Sequence, residues 1–243
     1  MNKKSIIKTV VISLSVIIVI ALGVWLTTNV VNAVDKQHKD AERSKQIHEY
    51  YSNKLTTYQN ENEENPDFEI IFLGDSLTDF CDVARYYDGY NASNRGIGGD
   101  KTGSLLDRLK VSAYDADPRV IVLLIGGNDL IGKTVDEICA NYEKIITGIK
   151  TQLPETKIVW CSLTAMGDRW AQYNDKVIDV NERIYLLAQQ YDCKFVDLFT
   201  PLYDRDGGEI FVGYAIDGAH LTDAGYTVVS SAIKPYLVEL LGH

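Results

Sequence analysis

The chain has 243 residues, enough for one domain of ordinary size with additional segments, and its composition is that of a globular protein. Its formal net charge at pH 7 is −10, with 34 acidic residues against 24 basic ones. Residues 1–33 hold three lysines and no acidic residue, so the excess of negative charge lies in the rest of the chain. A surface of that sign repels phosphate, which argues against a nucleic acid as partner.

The first predicted element is an apolar membrane span. Residues 9–34 carry no charge and Val10–Leu26 is almost wholly apolar, which is long enough for a span of about 20 residues. The lysines that precede it predict a cytoplasmic N-terminus and an extracytoplasmic domain. A signal peptide cleaved after Ala33 is the alternative, although its apolar region is usually only about 7–15 residues long. We favour an uncleaved, single-pass anchor in the cell membrane; cleavage would give a secreted protein.

A polar helical stalk is predicted next, over residues 35–66. Four apolar side chains fall on one face of this helix: Ile47, Tyr51, Leu55 and Tyr58. The pattern is too short for a dimeric coiled coil, so we expect the face to pack on the protein's own domain. The polar run 60–66, which ends in Pro66, predicts a helix break and a linker. The predicted segments are thus 1–34, 35–66 and 67–243.

From Asp67 onward, short apolar runs alternate with helical stretches. Five strands are predicted: Ile70–Leu73, Tyr90–Asn94, Val120–Ile125, Ile158–Cys161 and Phe195–Val196. Helices are predicted over about 102–113, 134–152, 173–191 and 222–241. Strands that alternate with helices favour βαβ units and a parallel sheet covered on both faces, which is an α/β fold.

Four cysteines are widely separated along the sequence: Cys81, Cys139, Cys161 and Cys193. A zinc site formed by cysteines needs ligands at shorter spacing, such as a C-x-x-C pair. We therefore predict no metal site at these residues, and we predict no disulfide.

Four polar segments follow predicted strands or precede the last helix. They are Gly74-Asp75-Ser76-Leu77, residues 94–102, Gly126-Gly127-Asn128-Asp129 and Asp217-Gly218-Ala219-His220-Leu221. The carboxyl ends of parallel strands meet at one edge of a sheet, so these distant segments can converge there. The sequence therefore predicts the functional site at that edge.

Ser76 and His220 suggest nucleophilic chemistry. A serine hydroxyl attacks an ester only when a base, usually histidine, removes its proton. His220 is the only histidine inside the predicted domain apart from the last residue. Asp217, three residues earlier, could accept the Nδ1 proton and orient the ring. Helix capping by Ser76 and mere proximity of Asp217 to His220 are the alternatives that these residues leave open.

A developing oxyanion needs fixed hydrogen-bond donors. The candidates are the Ser76 N–H at a helix N-terminus, an N–H of Gly98 or Gly99, and the side-chain amide of Asn128. The alternative interpretation of the glycine-rich segments is a plain strand-end turn or loop.

Taken together, the four segments resemble the blocks of the GDSL esterases, also called SGNH hydrolases, in the order that this family has them. The resemblance covers residues 67–243, and the sequences 94–100 and 105–109 are similar to the branch with platelet-activating-factor acetylhydrolase-type and lysophospholipase-type enzymes. It implies a flavodoxin-like three-layer α/β/α sandwich with a five-stranded parallel sheet, here preceded by the predicted transmembrane helix. It also implies that no metal or other cofactor is needed.

The resemblance assigns roles by position. It implies that Ser76 is the nucleophile, His220 the base and Asp217 the residue that orients His220. It places Ser76, Gly99 and Asn128 in the oxyanion hole. Lys101 departs from this branch, which often has a small hydroxyl residue there. We expect the lysine to be tolerated, and an altered rim of the site is the alternative.

The expected function is a membrane-anchored, extracytoplasmic serine esterase acting on short acyl or O-acetyl esters of carbohydrate. A lysophospholipase or lipase acting on lipid esters stays open, as does a catalytically silent carbohydrate-binding module on the same fold. A nucleotide-binding loop is disfavoured because Asp100 stands where the Walker pattern needs glycine. An ordinary α/β-hydrolase is excluded because Thr78, not glycine, lies two residues after Ser76.

Several aromatic side chains are candidates for lining the cleft, although packing in the core is the favoured interpretation for most of them. They are Tyr86, Tyr87, Trp170, Tyr173, Phe211 and Tyr214.

Overall fold

The computed structural model describes residues 2–65 and 67–243, and it describes their side chains except for those of residues 4–21, 23 and 24. Two compact units are present, one ending at Asn53 and the other spanning Lys54–His243. The second unit begins before the predicted boundary at Asp67 and contains the sheet and every predicted site residue.

The longest element is α1, Lys3–Glu64. The helix ends inside the polar run 60–66, where a break was predicted, but only after residues 60–64 have continued it to Glu64. Contacts with the sheet explain this outcome: Tyr58 is buried, and Asn62 accepts a hydrogen bond from Arg95. Tertiary contacts thus stabilise a helix end whose composition alone favours a linker.

Most of the predicted membrane span, Val10–Leu26, falls on residues whose side chains lie outside the described part of the structure. Where side chains are described, no helix combines the length and the apolar character that crossing a membrane requires. The anchor and the cleavage after Ala33 stay predictions.

The second unit is built on a five-stranded, all-parallel sheet in the order β2-β1-β3-β4-β5. The strands are β1 Ile70–Gly74, β2 Ala92–Gly96, β3 Val120–Leu124, β4 Lys157–Cys161 and β5 Lys194–Val196. All five predicted strands are confirmed, and β2 lies somewhat later in the chain than predicted because Ala92 pairs with Ile70.

Helices connect the strands. They are α2 Ser76–Asp79, α3 Val83–Tyr86, α4 Thr102–Ser112, α5 Val135–Gln152, α6 Asn174–Gln190 and α7 Asp223–Leu241. A short hairpin of β6 Tyr203–Asp204 and β7 Glu209–Ile210 lies before α7. The four predicted helices of the domain are confirmed as α4 to α7, whereas α2, α3 and the hairpin are too short for a periodic pattern to reveal.

The sheet separates two apolar cores. Side chains alternate along each strand, so Ile71 and Leu73 of β1 face one core while Ile70 and Phe72 face the other. The first core is completed by α4, α5 and α6, and the second by α3 and α7. The α/β fold with three layers is therefore confirmed, and it leaves the carboxyl ends of all five strands at one edge.

Candidate active site

Ser76 lies at the point where β1 turns directly into α2. A Cβ on Gly74 would come within 2.0 Å of the Thr78 hydroxyl and 2.3 Å of the Leu124 carbonyl, so only glycine fits there. The Asp75 carboxylate caps α2 by accepting the Leu77 N–H at 3.1 Å. The tight turn thus fixes Ser76 in the first position of a helix, at the carboxyl edge of the sheet.

Ser76, His220 and Asp217 form one hydrogen-bonded chain. His220 Nε2 lies 3.0 Å from Ser76 Oγ, and His220 Nδ1 lies 2.9 Å from Asp217 Oδ2. The other Asp217 oxygen accepts the backbone N–H groups of Ala219 at 3.1 Å and His220 at 2.9 Å. Partial burial opposes ionisation of Asp217, but these hydrogen bonds outweigh it and lower its pKa to about 2. A charged Asp217 can hold the Nδ1 proton, which leaves Nε2 to accept the proton of Ser76.

A contact that the sequence did not reveal supports the segment carrying Asp217 and His220. The Gly167 N–H donates to the Gly218 carbonyl at 2.7 Å, and a Cβ on Gly218 would lie 2.2 Å from the Gly167 oxygen. The ring of Phe80 packs on the His220 imidazole with centroids 5.3 Å apart. The backbone of the segment before His220 is therefore fixed by Gly167, and the His220 ring is supported by Phe80.

Asn128 follows β3 and lines the same cavity as Ser76 and His220. Its side-chain nitrogen donates to the Asp100 carbonyl at 2.9 Å. An amide nitrogen carries two hydrogens, so this bond uses only one of them. The bond also ties Asn128 to the turn that contains Gly99.

Gly99 occupies the third position of a turn that runs from Ile97 to Asp100. The Asp100 N–H donates to the Ile97 carbonyl at 3.1 Å, and Gly99 has φ +83°, as a type II turn requires at that position. The preceding Gly98 N–H is bound to the Asp79 carboxylate at 3.0 Å. Among the described residues, Gly99 does not line the cavity of Ser76, so its role as an oxyanion donor stays a prediction.

A buried arginine joins these segments, and the sequence analysis missed its role. Arg108 binds the Asp100 carboxylate at 2.7 Å and donates to the carbonyls of Gly74 and Arg95 at 2.9 Å each. The signal was present in the sequence, because Arg108 stands between Leu105 and Leu109 on the apolar face of α4. A cation on an apolar helix face indicates a buried partner.

Lys101 lies at the start of α4, where its side chain is exposed and makes no capping hydrogen bond in the described part of the chain. Asp129 supplies the cap instead, by accepting the Thr102 N–H at 2.8 Å and the Thr102 hydroxyl at 2.9 Å. Lys101 also forms no part of the described cavity wall.

A cavity of about 150 Å³ opens beside Ser76. Its apolar wall consists of Leu77, Leu124, Leu130, Ile131, Leu163, Met166, Trp170 and Tyr173, and its polar wall includes Asp75, Ser76, Asn128, Arg169, Asp217 and His220. Of the aromatic candidates, Trp170 and Tyr173 line the cavity. Tyr86 and Tyr87 are buried in the core, while Phe211 and Tyr214 form a ring pair outside the described lining.

Asp75 is the buried carboxyl of the site. Burial, with a smaller contribution from the nearby Asp100 carboxylate, raises its pKa to about 7 against the opposing hydrogen bonds from the N–H groups of Leu77 and Gly126. Asp75 therefore exchanges a proton in the neutral range, next to Ser76.

Known proteins share both the sequence pattern and the fold. Residues 72–228 match the profile of the GDSL-like lipase/acylhydrolase family. Subunit alpha1 of platelet-activating factor acetylhydrolase IB from Homo sapiens is 29% identical over 179 residues, which cover 71% of this chain and 77% of that protein.

Two solved structures illustrate the shared fold. A protein from Streptococcus pneumonia, provisionally assigned as a platelet activating factor, superposes with a TM-score of 0.73 at 29% identity and covers 80% of this chain and 95% of its own. The acetyl xylan esterase AlAXEase superposes with a TM-score of 0.59 at 23% identity, covering 69% of this chain and 98% of its own. The second likeness shows the fold alone.

The buried carboxyl gives a prediction for stability. Between about pH 4 and pH 7, folded Asp75 keeps a proton that the unfolded chain releases. The unfolded state therefore gains free energy of ionisation that the folded state lacks, and the free energy of unfolding falls as pH rises through this window. We expect Asp75→Asn, which keeps an oxygen for the Leu77 N–H, to reduce this loss of stability by up to about 1.4 kcal/mol per pH unit. Urea unfolding at several pH values measures it.

Asp82→Asn is the matched control, because Asp82 is an exposed helix cap that accepts the Arg85 N–H at 3.1 Å. Comparing its unfolding with that of Asp75→Asn separates the effect of the buried carboxyl from that of removing any acidic helix cap. An unchanged dependence on pH in Asp75→Asn would show that Asp75 ionises normally in the folded protein.

Proposed function

The chain belongs to the GDSL-like lipase/acylhydrolase family and is an ester hydrolase, and on that premise we propose that Ser76 is its nucleophile. The observation that carries the proposal is the chain of hydrogen bonds from Ser76 through His220 to Asp217, with distances of 3.0 Å and 2.9 Å. The Ser76 end of this series of hydrogen bonds opens on a cavity large enough for a small acyl group.

Acylation begins when His220 Nε2 accepts the proton of Ser76 as Oγ attacks the ester carbonyl. The charged Asp217 stabilises the imidazolium that forms, and its low pKa keeps it from taking the proton itself. When the tetrahedral intermediate collapses, His220 returns the proton to the leaving alcohol. An acyl group then remains on Ser76.

Deacylation repeats the same steps with water. His220 removes a proton from water, the hydroxide attacks the acyl carbonyl, and the proton goes back to Ser76 Oγ as the acid leaves. Every proton transfer passes through His220 Nε2, so the mechanism uses only groups of the protein and water.

The negative charge on the carbonyl oxygen needs donors that are already in place. We propose the Ser76 N–H, the Gly99 N–H and the second hydrogen of the Asn128 amide. The hydrogen bond from Asn128 to the Asp100 carbonyl supports this assignment, since it links the amide to the Gly99 turn.

Short acyl or O-acetyl esters, including those of carbohydrates, are the substrates that we propose. The small volume of the cavity, about 150 Å³, supports a short acyl group. The names of the relatives agree, since one is an acetylhydrolase and another an acetyl xylan esterase.

Lipid acyl esters are the second candidate. Apolar side chains near the cavity are exposed, with Phe80 at 59%, Ile131 at 49% and Ile216 at 75% of their surface. Ile131 lines the cavity, Phe80 packs on His220, and the Ile216 N–H binds the His220 carbonyl at 2.8 Å. Exposed apolar groups of this kind are suited to contact the chain of a longer ester.

For the location of the protein we propose the membrane anchor that the apolar run Val10–Leu26 and its preceding lysines support. The catalytic unit would then lie outside the cytoplasm, connected to the anchor by residues 35–53. Protease protection of the intact chain in cells tests this orientation.

We expect Ser76→Ala to lower kcat on p-nitrophenyl acetate by more than about 10³-fold, since the nucleophile is lost. The matched control is Ser231→Ala, an exposed serine on α7 that donates to the Thr227 carbonyl. A chain-length series of esters, measured with the wild type and with Ser231→Ala, would separate short-chain from lipid specificity. Undiminished turnover by a folded Ser76→Ala protein would refute the assignment.

The Gly99 turn gives a second prediction. A Cβ at Gly99 meets nothing within 4 Å, so Gly99→Ala acts only through the positive φ, which costs alanine about 1–2 kcal/mol. Relaxation of the turn would rotate the Gly99 N–H away, and we expect kcat to fall roughly 10- to 100-fold with little change in KM. Steady-state kinetics measures the two constants.

Gly89→Ala is the control for backbone strain, because Gly89 has φ +96° and its Cβ also meets nothing within 4 Å. It should lose stability to a similar extent and keep its kcat. Equal kcat values for the Gly99 and Gly89 variants would show that the Gly99 N–H is not an oxyanion donor.

A further inference from the structure

We propose that the C-terminal turns of α1 position the turn at residues 97–100, through Tyr58 and Lys54, and thereby set the rate of ester hydrolysis. The inference rests on the proposed function, because it concerns the donor that Gly99 supplies. Both residues act through other groups, so they are positioning residues and not catalytic ones.

Tyr58 holds the entrance to the turn. Its side chain is 1% exposed, and its hydroxyl donates to the Gly96 carbonyl at 2.5 Å. Gly96 is the last residue of β2, and its carbonyl belongs to the peptide that leads into Ile97. A buried hydrogen bond at this peptide restrains the direction in which the chain leaves the sheet.

Lys54 acts on the middle of the turn through Asp79. One Asp79 oxygen is paired with the Lys54 ammonium, and the other accepts the Gly98 N–H at 3.0 Å. The Asp79 side chain is nearly buried between these two partners. The ion pair with Lys54 therefore fixes the orientation in which Asp79 accepts the Gly98 N–H.

The end of α1 is itself fixed to the sheet, so it can hold the turn at residues 97–100 in place. Arg95 of β2 is fully buried and donates to the Tyr58 carbonyl at 2.8 Å and to Asn62 at 2.9 Å. Its guanidinium also lies over the Tyr58 ring, 4.8 Å from the centroid. These contacts leave the Tyr58 hydroxyl little freedom to move.

These contacts determine the orientation of the peptide that joins Gly98 to Gly99. Asp79 binds the N–H of Gly98, so the peptide between Gly98 and Gly99, which carries the Gly99 N–H, starts from a fixed point. The hydrogen bond from the Asp100 N–H to the Ile97 carbonyl closes the turn on its other side. A donor aimed at the oxyanion stabilises the transition state more than the bound substrate. Loosening the turn should therefore lower kcat and leave KM nearly unchanged.

The test uses Tyr58→Phe and Lys54→Met in the full-length chain. We expect each to lower kcat roughly 5- to 50-fold, less than the loss of a complete oxyanion donor, with KM within about twofold. Inhibition by phenylboronic acid, whose serine adduct carries a tetrahedral oxyanion, should weaken in parallel. Lys54→Arg should restore activity, and Lys54→Met should add nothing to Asp79→Asn.

Two control variants remove similar contacts elsewhere. Lys45→Met breaks an exposed ion pair of α1 with Glu49, and Tyr90→Phe removes a hydroxyl that donates to the His243 carbonyl at 2.8 Å. Both should keep the wild-type kcat and boronate affinity. Thermal unfolding of every variant ensures that activity is compared well below its midpoint.

An active wild type with unchanged kcat in Tyr58→Phe and Lys54→Met would overturn this inference and leave the proposed function intact. A rise in KM without a fall in kcat would overturn it too, because the contacts would then serve substrate binding. A wild type without turnover on any ester would overturn the proposed function and this inference with it.

Discussion

The buried guanidinium of Arg108 is the interaction on which the geometry of the site depends. It is 2% exposed and binds the Gly74 carbonyl at the end of β1 and the Arg95 carbonyl one residue before the end of β2. It also binds the Asp100 carboxylate beyond β2. Gly74 leads into Ser76 and Arg95 leads towards the Gly99 turn, so one cation sets the spacing of nucleophile and proposed oxyanion donor. Removing one partner of a buried ion pair typically costs about 3–5 kcal/mol, which makes this spacing rigid.

Much of the second unit follows from local patterns in the sequence. Short apolar runs predicted β1, β3, β4 and β5, because strands of a parallel sheet covered on both faces are largely apolar, whereas β2 is mostly polar. The same logic located Ser76, Asn128 and His220 at the carboxyl edge, where the structure brings them to one cavity. Strand topology alone dictates that convergence.

Contacts between distant segments account for what the sequence did not predict. The end of α1 looks like a linker by composition, but its residues contact Arg95, Ser93 and Val111 of the second unit, and these contacts stabilise it as a helix. The pairing of Arg108 on α4 with Asp100, in the turn before α4, forms only when both side chains are buried by the fold. The raised pKa of Asp75 likewise comes from its burial, which a sequence does not state.

The compact unit begins in the middle of a helix, at Lys54, and this has a consequence for how the gene can be divided. A fragment that starts at Asp67 keeps every motif of the family yet loses the acceptors of Arg95 on Tyr58 and Asn62. The buried Arg95 guanidinium would then keep its bond to the Ser93 hydroxyl but lose both acceptors on α1. Recombination that attaches this catalytic unit to another anchor therefore has to carry the last turns of α1 along, so the modular boundary of the protein precedes the residues that the family profile matches.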